Sequence, residues 1–189
     1  MKKLIFSFLA FVLIASSVQA QEDPGRAVKK AGTALKAFEL DQTANLDKLH
    51  EAVDLISIGA ADDEVGGEVL TLQTLGDVMN AVANQIVNIR YTKIGSVEEL
   101  PQVENPSLRS LRAYEQALAK ATKKFHFKDA LTGIRAVQGT LNNLGIYAYE
   151  DGSFDVAFKN FNGVITAHNI LLENKKETML DSDESISEQ

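Results

Sequence analysis

An all-α fold of antiparallel helical hairpins is what this sequence predicts, and three observations carry the prediction. Apolar or small residues recur in alternating steps of four and three, as in Ala130, Ile134, Val137, Leu141, Leu144 and Ala148. That spacing keeps one apolar stripe on one helical face. The three prolines, at positions 24, 101 and 106, all fall at expected helix starts or between helices, where a missing N–H does no harm. No stretch alternates apolar and polar residues over a strand's length.

The first twenty of the 189 residues are expected to lie outside the fold. Lys2-Lys3 precede an uncharged, mostly apolar run from Leu4 to Ala15, then Ser16, Ser17 and Val18-Gln19-Ala20. This is the pattern of a secretory signal peptide cut after Ala20. The apolar run is short for a bilayer crossing, so no membrane span is expected in the mature chain. Export places the protein in the periplasm, at the outer membrane or outside the cell. The chain has no cysteine, which excludes a lipoprotein anchor and any disulfide, so packing alone must hold it.

Cleavage would leave 169 residues, enough for one domain with a core. It would remove two lysines and no acid, so 19 basic residues fall to 17 against 26 acidic ones, a net charge of −9. That balance argues against nucleic acid or an anionic membrane as the main partner.

Six helices in three hairpins follow, expected over 24–60, 66–125 and 127–173 within a domain of 21–175. Asp23-Pro24 reads as a cap followed by the first helical residue. The first helix runs to about Glu39 with Ala27, Val28, Ala31, Ala34, Leu35 and Phe38 inward and Arg26, Lys29, Lys30 and Lys36 outward. Asn45 can cap the second, which turns Leu49, Ala52, Val53, Ile56 and Gly59 inward. After the solvated Asp62-Asp63-Glu64, the Gly66-Gly67 pair weakens helix, and the third helix runs from about Glu68 to Tyr91. Residues 93–105 form a connection longer than a repeat turn, ordered or flexible. The fourth helix runs from Pro106 or Ser107 to about Lys124, and Phe125-His126-Phe127 marks a turn. The last two helices are joined at Glu150-Asp151-Gly152-Ser153, where Gly152 tolerates positive φ and Ser153 can cap. The sixth carries Phe154, Ala157, Phe158, Phe161, Val164, Ile165, Leu171 and Leu172. Residues 176–189 are acidic and Ser-rich, the composition of a disordered tail or the start of a continuation.

The run Leu141-Asn-Asn-Leu144-Gly145-Ile-Tyr-Ala-Tyr-Glu-Asp-Gly152-Ser-Phe154-Asp-Val-Ala157-Phe-Lys-Asn-Phe161 resembles a tetratricopeptide repeat (TPR). Leu144-Gly145, Gly152, Phe154, Ala157 and Phe161 stand where the family has its signature positions. Leu141 replaces the leading Trp, and the closing Pro is missing. Leu72, Leu75-Gly76 and Met79 match the same pattern in the third helix, and Tyr114-Glu-Gln-Ala117-Leu118 resembles a repeat's second helix. The resemblance implies a right-handed solenoid whose concave groove is lined by first-helix residues. Carried over, it points to Gln73, Asp77, Asn80 and Asn84 in the third helix. In the fifth it points to Asn142, Asn143, Ile146 and Tyr149. Amides there offer donors and acceptors to a peptide backbone. The Lys and Arg with which some members clamp a terminal carboxylate are absent at these positions. The opening after the signal also resembles exported repeat proteins of Bacteroidetes-like bacteria.

His50-Glu51-Ala-Val-Asp54 has an aspartate where a zinc protease needs its second histidine. His126 and His168 have no ligand at metal spacing. No acidic loop carries calcium-site spacing, and there is no Gly-rich phosphate loop or Gly-x-Ser-x-Gly turn. The expectation is a non-enzymatic scaffold without metal or cofactor that binds another protein or peptide in its groove. The alternative is a structural or oligomerisation module, or part of a longer array, that uses the apolar sixth helix. Solenoids close with a polar cap, and that helix is not one. Met179-Leu180 folding back, a partner or further repeats are the candidates to cover it.

Overall fold

The computed structural model describes residues 22–180. The expected signal peptide lies outside them, as do residues 181–189 of the acidic tail. Among the described residues the chain is all-helical, with six α-helices: α1 (Pro24–Leu40), α2 (Leu46–Ala60), α3 (Val69–Thr92), α4 (Pro106–Lys120), α5 (Lys124–Glu150) and α6 (Phe154–Glu173), plus a single 3₁₀ turn at Val97–Glu99. None of these helices is long and apolar enough to cross a membrane.

The helix ends follow from local chemistry. At α1 the Asp23 carboxylate accepts from the Arg26 N–H at 2.8 Å and Pro24 opens the first turn, so one orphan donor is satisfied and another removed. Asn45 sits at the start of α2 but does not cap it. Its side-chain amide donates instead to the Ala37 carbonyl at 2.7 Å, tying α2 back to the end of α1. Ser153 likewise precedes α6 without a side-chain capping bond. Gly152 adopts φ +73°, and the chain reverses there through the Ser153 N–H, which donates to the Ala148 carbonyl at 2.8 Å. The turn expected at Phe125-His126-Phe127 is helical: α4 stops at Lys120 and these residues form the first turn of α5.

Each hairpin is antiparallel. Near the ends of the first, Val28 lies against Gly59 and Ala37 against Asn45. In the second, Gly76 meets Ser110 while Gly67 meets Lys120. In the third, Gly145 meets Phe161 and Gln138 meets Val164. The first hairpin closes with α3 over Val28, Leu35, Phe38, Leu49, Ile56, Val78, Met79 and Val82. A second apolar cluster joins α4, α5 and α6 through Leu111, Tyr114, Ile134, Val137, Leu141, Val164 and Leu171. Between them, Leu72, Ala117 and Ala130 link α3, α4 and α5. Val53 and Leu144, expected inward, are only half-buried.

One packing unit recurs. A Cβ on Gly76 would lie 2.7 Å from the Tyr114 ring, and one on Gly145 would lie 2.8 Å from the Phe161 ring. Each ring stands on the second helix of its hairpin, four residues after a buried small residue (Ser110, Ala157) and three before another buried residue (Ala117, Val164). In α2 the residues Ala52, Ile56 and Gly59 keep this register and are all buried. The glycine exists because the ring needs the space a side chain would fill.

The long connection after α3 is held in place. Leu100 is buried, Val103 packs on the first cluster, and His50 Nε2 lies 2.8 Å from the Glu99 carbonyl oxygen. A carbonyl can only accept, so that ring nitrogen carries the proton. After α6 the chain folds back. The Met179 N–H donates to Gln138 Oε1 at 3.1 Å, Thr178 is buried beside His168, and Leu180 packs on the second cluster.

Candidate functional site

The first helices of the three hairpins, α1, α3 and α5, converge on a groove with a volume of about 730 Å³. Its α1 wall carries Lys29, Thr33, Lys36 and Glu39, with Gln42 in the turn just after α1. Its floor is Gln73, Asp77, Asn80 and Asn84 of α3, and its α5 wall is Asp129, Thr132, Gly133 and Ala136. The size is that of a ligand cleft, roughly 300–1,000 Å³.

The floor residues are tied down as well as presented. The Gln73 side-chain amide donates to the His126 carbonyl at 3.0 Å, bridging to the start of α5. The Thr140 hydroxyl of α5 lies 3.1 Å from Asn80 Oδ1 and 2.8 Å from Asn84 Oδ1. Thr140 thus ties two stacked amides, one turn apart, to α5. Asp77 accepts from the Tyr114 hydroxyl at 2.5 Å. The Tyr114 ring runs between Gly76 of α3 and Gly133 of α5, where a Cβ would approach it to 2.7 and 2.3 Å. Two glycines on neighbouring helices make the slot through which a core tyrosine reaches the groove floor.

The electrostatics are mixed. Asp77 is open to the groove on one side and enclosed on the others. That enclosure pushes its carboxyl above the ordinary value, the Tyr114 bond pulls it down, and Glu39 and Asp129 push it up further. Burial and the neighbouring Asp77 charge hold the Tyr114 phenol well above its usual value, so it stays a donor. Lys29 and Lys36 set positive charge across from these acids.

Of the eight residues expected in the groove, the four on α3 line it and the four on α5 do not. On a 3.6-residue helix, Asn142, Ile146 and Tyr149 sit roughly 110° round from the Asp129–Ala136 wall. They occupy on α5 the register that Gln73, Asp77 and Asn80 occupy on α3, the register set by Gly76 and Gly145. On α3 that register faces α5; on α5 it faces the open end of the molecule. Ile146 and Tyr149 are exposed, and the Tyr149 ring meets Phe154 edge-on at 5.5 Å. Asn143 is exposed beside them. The signature residues Leu75, Gly76, Tyr114, Ala117, Gly145, Ala157 and Phe161 take packing positions, while Leu144 is half-buried at a smaller recess. Gly152 makes the turn and Phe154 is exposed. The α1 wall and the Asp129–Ala136 wall went unforeseen. α1 carries no signature residues, so only its outward polar run of Lys29 and Lys36 could have marked it.

A smaller recess, about 250 Å³, lies between the end of α3 and the α5–α6 turn. There Arg90 binds both Asp151 carboxylate oxygens, at 2.7 and 2.9 Å, and lies over the Tyr147 ring.

No protein-family model matches this chain, and neither a curated protein nor a solved structure is significantly similar to it.

Proposed function

We propose that the chain is an exported, TPR-like scaffold that holds an extended segment of another protein in the groove between α1, α3 and α5. The observation that carries this reading is the groove itself. Three first helices converge on one cleft, and its polar floor is braced by Tyr114 and Thr140 from outside. A braced floor loses little side-chain freedom when a ligand arrives, which favours binding. The amides of Gln73, Asn80 and Asn84 suit a peptide backbone, which offers both N–H and C=O. The packing unit of Gly76 with Tyr114 and Gly145 with Phe161 supports a right-handed TPR-like stack. The Lys2-Lys3 start with the apolar run behind it supports export to the periplasm, the outer membrane or the exterior.

The test is selection of peptides from a displayed random library on the purified chain, followed by titration of the recovered peptides. Lys36→Glu, Asn84→Lys and Asp129→Lys change exposed groove residues and are expected to abolish or re-select binding. Tyr149→Ala, outside the groove, is expected to leave it unchanged. Peptides that bind all four variants equally would refute the groove assignment.

A further inference from the structure

On α6, Phe154, Phe158, Ile165 and Leu172 are 62, 69, 52 and 48 % exposed. With the half-buried Phe161 they fall on a single stripe of the helix, within roughly 60° of arc. Ile146 and Tyr149 of α5 extend that stripe across the hairpin, and Tyr149 touches Phe154. The other exposed large apolar side chains sit near helix ends and in connections. A contiguous patch of this kind marks an interaction surface.

The internal register shows how the face is built. Through the pairing of Gly76 with Tyr114 and Gly145 with Phe161, Phe158, Phe161 and Ile165 correspond to Leu111, Tyr114 and Leu118 of α4. Those three pack in the cluster that α5 completes. The end of the molecule therefore presents what is an interior face one hairpin earlier. The returning chain leaves this stripe exposed, because Thr178, Met179 and Leu180 dock beside Gln138 and His168 instead.

We propose that a second copy of this chain covers the face, in a two-fold symmetric pair with α6 antiparallel to its counterpart. Head-to-tail stacking is disfavoured because α1, at the other end, exposes the charged Arg26 and Lys30, while its Lys29 and Lys36 line the groove. The apolar surface this chain has available to match the stripe is the stripe itself, which a two-fold axis brings together. The exposed rings and aliphatic chains amount to on the order of 600 Å² per copy. With the polar rim of Asp155, Asn162 and Asn169, the pair approaches the roughly 1,600 Å² of a standard specific interface. The stripe also turns away from the groove, so pairing leaves both grooves open.

The test is sedimentation velocity over a wide concentration range, on chain expressed from its complete sequence and purified as the host processes it. The expected result is a monomer–dimer equilibrium. Phe158→Glu and Ile165→Lys should each weaken it about tenfold or more without changing the helical signal or melting, and Leu40→Glu, an exposed site on α1, should not. Hydrogen exchange within 154–172 should slow as concentration rises. A monomer at every concentration overturns the proposal. So does a dimer that survives both variants, or a loss of helicity in both, since the proposal needs these side chains on the outside of a folded protomer. Peptide binding in the groove is measured separately, so either proposal can fail alone.

Discussion

The Tyr114 hydroxyl on α4 donates to the Asp77 carboxylate on α3 across 2.5 Å, through a slot between Gly76 and Gly133. This contact joins core packing to groove chemistry. It also leaves no room for a side chain at either glycine.

Two substitutions on one helix separate packing from propensity. At Gly139 an added Cβ meets nothing within 4 Å, so Gly139→Ala should stabilise by up to about 1 kcal/mol through helix propensity. At Gly133 the Cβ would strike the Tyr114 ring at 2.3 Å. That strain, typically about 1–3 kcal/mol, should outweigh the same gain. Chemical denaturation should show opposite signs, and equal effects would mean the slot is loose.

Asp77 gives a pH signature. Its raised carboxyl pKa means that the folded protein holds the proton more tightly than the unfolded chain. The associated stability is fully present below the ordinary carboxylate pKa and is lost as pH rises through the raised value. Asp77→Asn keeps an acceptor for Tyr114 and removes the titration. The variant should melt with the wild type in acid and above it at neutral pH. A melting difference independent of pH would contradict this.

The bidentate Arg90–Asp151 pair fixes the end of α3 to the α5–α6 turn, and Arg90 holds the Asp151 carboxyl below its usual value. Both side chains remain partly solvated, at 32 and 51 % exposure, so Asp151→Asn should lower the melting temperature only slightly. Added salt should shrink the difference. A large loss of stability, unaffected by salt, would show that the pair is more desolvated than this geometry.

His50 anchors the long connection through the Glu99 carbonyl. His50→Ala should speed amide exchange over 97–100 while the global melt stays within a degree or so, because only a local opening is affected. If the whole first hairpin exchanges faster, the connection is part of the core.

The helices were legible because their signals are local. Period, proline placement and the Asp-Gly turn fix α1 through α6 to within a few residues. The caps were less so: Asn45 has a cap's identity and position, yet its amide reaches the Ala37 carbonyl, a contact between helices that spacing does not encode. The groove was half legible. Gln73, Asp77, Asn80 and Asn84 follow from the Leu75-Gly76 pair, but the same offset from Leu144-Gly145 lands on the open end. On α3 that register meets α5, whereas among the described residues no further hairpin packs against the same face of α5. Gly133 gave no signal of its own, because its partner ring lies on another hairpin element.

The most direct test is hydrogen exchange of the chain with and without a library-selected peptide. Exchange should slow on the facing segments 29–42 (α1 and the start of the turn after it), 73–85 of α3 and 129–136 of α5, with 154–172 unchanged at constant protein concentration. Protection confined to α6 and the 146–149 segment, with none in α1, would contradict this and move the binding site to the end face.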